Sequence, residues 1–149
     1  MAKTVKPQKV DVESVLGGRG VVYARSARGS PLDLAIREGL PYRSFDSVAQ
    51  ALDLRSSELA GLIGAAPRTL ARRKQAKTLS PAESDRLVGI ARIASLGEAV
   101  LGSHQRVRSW LRQPILALGS VAPLACLDTE SGRRKVESVL YQIRYGIIS

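Results

Sequence analysis

Residues 56–73 read SSELAGLIGAAPRTLARR. A helix is predicted from Ser57 to Ile63, with Ser56 as its cap and Gly64 as its stop, because glycine adopts positive φ without a Cβ penalty. Pro67 then opens a second helix, from Arg68 to about Lys77, since proline is tolerated where no intrahelical amide is needed. Leu59, Ala60, Gly64 and Leu70 fall where a helix-turn-helix needs, in order, an apolar contact, a small residue at the crossing, a turn glycine and an inner apolar residue. Ile63 adds a further core contact. The outward positions at the start of the second helix are Arg68, Thr69, Arg72 and Arg73, with Lys74 just beyond. Arg68 and Arg72, one turn apart, suit bidentate bonds to guanine edges in a major groove. Thr69, Arg73 and Lys74 suit phosphates, which set register rather than sequence. Position 73 is often apolar in such helices, and here it is Arg.

The charge distribution supports the same reading. The chain of 149 residues has a net charge of +10, and 17 of its 23 basic residues are arginine. Half of that excess lies in residues 66–77, which carry five basic groups and no acidic one between mildly acidic flanks. An excess of this kind points to an anionic partner, most often nucleic acid.

Helix punctuation continues on both sides. Ser30 can cap and Pro31 can open a short helix with Leu32, Ala35 and Ile36 on one face, closed by Gly39 and Pro41. A helix from Ser44 places Phe45, Val48, Ala49 and Leu52 at i, i+3, i+4 and i+7. Ser80, Pro81 and Glu83 form a capping box. The helix that follows is apolar nearly all round, with Leu87, Ile90, Ala91 and Ala94 on one face and Val88, Ile93, Leu96 and Val100 on others, so it is expected to be central and buried. Val107, Trp110 and Leu111 mark a short helix ended by Pro114. Residues 115–127 read as a compact loop holding about one helical turn, with Cys126 in apolar surroundings. Asp128 or Thr129 caps a last helix carrying Val136, Val139, Leu140 and Ile143, and Gly146 ends it. Residues 1–30 read as a basic tail of unassigned order, in which the Val and Leu residues between Val10 and Val22 could form a short element but sustain no period. No alternating period suggests a sheet, so the fold class is all-α.

Reactive side chains are few. His104 is the only histidine and Cys126 the only cysteine, with no carboxylate placed by the sequence to activate either. No Cys/His spacing suits a metal and no phosphate-binding loop is present, so neither a cofactor nor catalysis is expected. With one cysteine and no apolar run near the roughly 20 residues of a membrane span, the chain is expected to be cytoplasmic.

From about Leu40 onward the residues resemble the Xre/MbcA/ParS antitoxin family. The likeness rests on Arg68, Thr69, Leu70 and the Arg72–Arg73 pair, then Leu79, Ser80 and the run Glu83-Ser84-Asp85-Arg86-Leu87, then Trp110–Leu111, Pro114, Leu118–Gly119, Pro123–Leu124, Thr129, Gly132 and Gly146. The resemblance implies a helix-turn-helix domain over residues 31–99 and a small toxin-binding domain over 100–149. It implies a RES-domain, NAD⁺-degrading toxin as partner, repression of the chain's own operon by a dimer bound to operator DNA, and a C-terminal segment that enters the toxin's active site. The residues of that segment are Arg144, Tyr145, Gly146, Ile147, Ile148 and Ser149. An apolar plug tipped by the carboxylate of Ser149 fits a cationic nucleotide pocket, and Arg133, Arg134, Lys135 and Arg144 are placed to pair with acidic groups around it. Trp110 is expected to anchor the small domain's core. The rival reading is a stand-alone repressor whose C-terminal domain only dimerises.

Overall fold

A computed structural model describes residues 11–24 and 31–146. Its α-helices are α1 (Val12–Val15), α2 (Arg19–Val22), α3 (Leu32–Glu38), α4 (Tyr42–Leu52), α5 (Ser56–Leu62), α6 (Pro67–Ala76), α7 (Pro81–Leu101), α8 (His104–Leu111) and α9 (Glu130–Arg144), with 3-10 turns at Leu116–Leu118 and Pro123–Cys126. Among the described residues there is no strand, only isolated bridges between Pro41 and Thr78 and between Ile115 and Val121. The fold is all-α, as the periodicity predicts.

The capping box starts α7 as expected. Ser80 Oγ accepts from the Glu83 amide (3.1 Å) and Glu83 Oε1 accepts from the Ser80 amide (2.9 Å). A helix apolar on every side must be covered on every side, and α1, α3, α4, α8 and α9 all pack on it. Leu87, Val88, Ile90, Ala91, Ile93 and Ala94 are buried, and one core runs from Phe45 and Leu59 through them to Val107, Leu111, Leu127, Val136 and Leu140. Two glycines of α7 let neighbours come close. A Cβ at Gly97 would stand 3.2 Å from Val107, and one at Gly89 would stand 2.7 Å from Arg133 Nε. The division at residue 99 expected from the sequence falls in the last turns of α7.

The N-terminal reading needs correction. Residues 11–24 are not tail: Asp11 caps α1 by accepting from the Glu13 amide (3.0 Å), and Val15, Leu16 and Val22 are buried. Ser47 Oγ donates to the Val15 carbonyl (2.8 Å) and Tyr23 Oη to Glu13 Oε1 (2.7 Å). Helices of four residues repeat no period, so pattern reading has nothing to find; tertiary burial forms them. The expected cap Ser30 lies outside the described residues.

Some helix starts also shift. Ser56 lies inside α5 and Arg55 takes the cap position, its amide donating to Glu58 Oε1 (3.2 Å). Helix α4 begins at Tyr42 rather than Ser44, and Pro31 precedes α3 rather than opening it. The loop at 115–127 contains two 3-10 turns where about one was expected.

Candidate functional site

Helices α5 and α6 form the helix-turn-helix. Leu59, Ala60 and Ile63 are buried, Gly64 has φ +75°, and α6 follows with no fully buried residue. A ten-residue helix that buries so little must be held by other means. Half-buried Leu70 packs against the core. Beyond α6 the chain returns to α3 and α4: the Leu79 amide donates to the Leu40 carbonyl (2.8 Å) and the Tyr42 amide to the Lys77 carbonyl (3.1 Å). Ser84 Oγ accepts from the Leu40 amide (2.8 Å) and donates to the Ser80 carbonyl (2.7 Å). Arg86 closes the turn itself by donating to the Ile63 carbonyl (3.2 Å). Its guanidinium would stand 2.9 Å from a Cβ at Gly64, so a side chain there would displace the end of Arg86 as well as strain φ.

The predicted interface residues separate into two groups. Arg68, Arg72 and Lys74 are exposed and make no hydrogen bond or ion pair among the described residues, while Thr69 is half-buried. Arg68 and Arg72 line up one turn apart; Lys74, one turn beyond Leu70, lies on the flank. Arg73 departs from the phosphate-facing role expected of it. It lies three residues after Leu70, turned toward α7, and donates from Nε to Glu83 Oε1 at 2.8 Å, with 30% of its side chain exposed against 8% for Glu83. Burial alone would raise the Glu83 carboxyl, but the Ser80 amide and the Arg73 guanidinium hold it below the usual carboxylate range.

The run Glu83 to Leu87 is therefore a set of attachments for α6 and the turn before it. Glu83 takes Arg73, Ser84 takes Leu40, Arg86 takes the turn, and Leu87 fills the core. The capping box was legible from the sequence; the second duty of Glu83 was not, because it depends on where α6 lies in space.

At the other end of the molecule, Thr129 caps α9 by accepting from the Gly132 amide (2.9 Å). Arg133 crosses Gly89 to donate to the Leu127 carbonyl (3.0 Å), and Arg134 pairs with Glu130 (2.9 Å). These two arginines are engaged internally, whereas Lys135 and Arg144 make no such contact among the described residues. Tyr145 is 69% exposed and stacks on Tyr141, with centroids 6.4 Å apart. Gly146, at φ +69°, turns the chain out of α9. Ile147, Ile148 and Ser149 lie outside the described residues. Trp110 is half-buried against the core.

A carboxylate does face His104, contrary to expectation: Glu98 Oε2 stands 3.1 Å from its Nε2. Cys126 instead donates to the Ala122 carbonyl of its own loop (3.9 Å). Among the described residues no cluster of metal-ligating side chains occurs, and no helix is long and apolar enough to cross a membrane.

Comparison with known proteins agrees with this division of labour. Residues 31–92 match the antitoxin Xre-like helix-turn-helix domain, and residues 96–146 match the antitoxin Xre/MbcA/ParS C-terminal toxin-binding domain. The chain is 29% identical over 126 residues to an antitoxin Xre of Photorhabdus laumondii, covering 83% of this chain and 85% of that protein. It is 36% identical over 80 residues to an antitoxin Xre of Pseudomonas putida, covering 53% and 50%. It is 27% identical over 136 residues to a Prs ADP-ribosylating antitoxin of a Sphingobium species, covering 83% and 86%. With a helix-turn-helix and a toxin-binding domain joined through one central helix, the chain belongs to the Xre/MbcA/ParS antitoxin family.

Proposed function

We propose that this chain is the cytoplasmic, non-enzymatic antitoxin of a type II pair. It neutralises a RES-domain, NAD⁺-degrading toxin with its C-terminal segment and, as a dimer, represses its own operon by binding operator DNA through α6. The observation that carries the DNA half is the exposed guanidinium pair of Arg68 and Arg72, without a partner among the described residues, on a helix that buries none of its residues. Thr69 and Lys74 act beside them on phosphates, and Arg73 serves from behind by orienting the helix.

The toxin half rests on the resemblance and on the end of α9. Arg144 and Tyr145 are exposed there, and Gly146, immediately before the segment, has φ +69°. Ile147 and Ile148, with Ser149 beside them, then supply an apolar plug for a nucleotide pocket. Seated there, the plug excludes substrate sterically.

Removing residues 147–149 tests the proposal. Toxin co-expressed with the truncated chain should regain NAD⁺ depletion, while retention of DNA from upstream of the chain's own gene should stay as in the full chain. Undiminished neutralisation would remove the C-terminal plug from the proposal, and a full chain that neutralises no toxin would favour the stand-alone repressor.

A further inference from the structure

Arg108, in α8, and Arg112, which caps its end and keeps 47% of its side chain exposed, both bond back to the junction of α4 and α5. Arg108 donates from Nε to the Ala51 carbonyl and from Nη2 to the Gln50 carbonyl, each at 2.9 Å. Arg112 donates from Nη2 to the Asp53 carbonyl (3.1 Å) and faces both oxygens of Glu58, at 3.3 and 3.4 Å. The two lie at i and i+4, on one face of α8. Their acceptors are the Gln50 and Ala51 carbonyls in the last turn of α4, the first of which also accepts from the Asp53 amide, the carbonyl of the cap residue Asp53, and the first-turn carboxylate of α5.

From this arrangement we infer that Arg108 and Arg112, on the toxin-binding half, are positioning residues of the DNA reader. They fix the end of α4 and the start of α5, so that α6 is presented in one orientation. Helix α5 has seven residues, too few to hold its own geometry. Arg112 grips its N-terminal end through Glu58, and Arg86 grips its C-terminal end through the Ile63 carbonyl. Between α4 and α5 the chain passes through Asp53 in a left-handed conformation, φ +51°, and Arg112 holds the carbonyl of that same residue. A single exposed ion pair of this kind does little. Here the forked guanidiniums bind three backbone carbonyls and one carboxylate at once, and fork geometry is what lysine lacks.

This inference rests on the proposal that α6 reads DNA, and the experiment separates the two. The full chain and its Arg112→Gln, Arg112→Lys, Glu58→Gln and doubly substituted Arg112→Gln/Glu58→Gln variants are titrated with a duplex spanning the region upstream of the chain's own gene and with a scrambled duplex. Amide hydrogen exchange over residues 54–66 is followed in each without DNA. Arg112→Gln should weaken binding to the upstream duplex by about tenfold, or roughly 1.4 kcal/mol, with little change on the scrambled one. Arg112→Lys should fail to rescue, and the double variant should be no weaker than Arg112→Gln alone. Exchange over 54–66 should accelerate in Arg112→Gln. Unchanged exchange and unchanged upstream affinity, or additive losses in the double variant, would overturn the inference. Accelerated exchange in a protein whose wild type does not prefer the upstream duplex would leave the clamp standing and remove the reading of DNA.

Discussion

Arg73, on α6, and Glu83, in the first turn of the central helix, meet at 2.8 Å with the carboxylate largely withdrawn from water. The contact ties the least buried helix of the domain to the most buried one. Replacing Arg73 by alanine leaves Glu83 with the Ser80 amide alone, and replacing Glu83 removes the capping box as well. Each change should cost about 1–2 kcal/mol in urea unfolding. Because the two residues act through one contact, the double replacement should cost less than the two losses added. Full additivity would count against the link.

The same carboxylate predicts an acid sensitivity. With its folded pKa below the ordinary value of 4.5, Glu83 contributes stability that is present above that value and lost as pH falls through the folded pKa, because the unfolded chain takes up the proton first. Glu83→Gln should lower stability near neutrality and flatten the decline below about pH 4.5. Thermal unfolding across that range, wild type against variant, checks it; parallel curves would refute it.

The exposed cations should differ in what they report. Arg72→Ala should relax sequence preference, losing roughly 1–3 kcal/mol on the preferred duplex only. Lys74→Ala should weaken binding to every duplex alike and shallow the slope of log affinity against log salt by about one unit. Filter binding over a salt series distinguishes the two outcomes, and identical behaviour of both variants would contradict the assigned roles.

Leu16 is fully buried although it lies ahead of the matched helix-turn-helix domain. Leu16→Ala should therefore destabilise the whole fold by about 2–5 kcal/mol, a loss read directly by chemical denaturation. A change within a few tenths of a kcal/mol would return residues 11–24 to the status of tail.

How legible the molecule was follows from which forces act locally. The Ser80–Glu83 box, the Gly64 turn and the apolar circumference of Leu87 to Val100 are local signals, and each appears in the structure where its chemistry puts it. Arg68 and Arg72 were legible for the same reason, since helical spacing alone sets them outward. Arg73 was not, because its partner lies ten residues away on another helix. Arg108 and Arg112 bond to residues more than fifty positions earlier, a relation no window of sequence contains. The short helices around Val15 and Val22 exist only because α4 and α7 cover them.

The helix Pro81–Leu101 is the floor on which both halves of the molecule are built. The two family signatures meet within it, one ending at residue 92 and the next beginning at 96. A chimaera joined at that seam would inherit half of a buried rod from each parent. Exchanging toxin specificity between relatives thus means transplanting the rod together with everything that rests on it, and the DNA-reading half travels with the bargain.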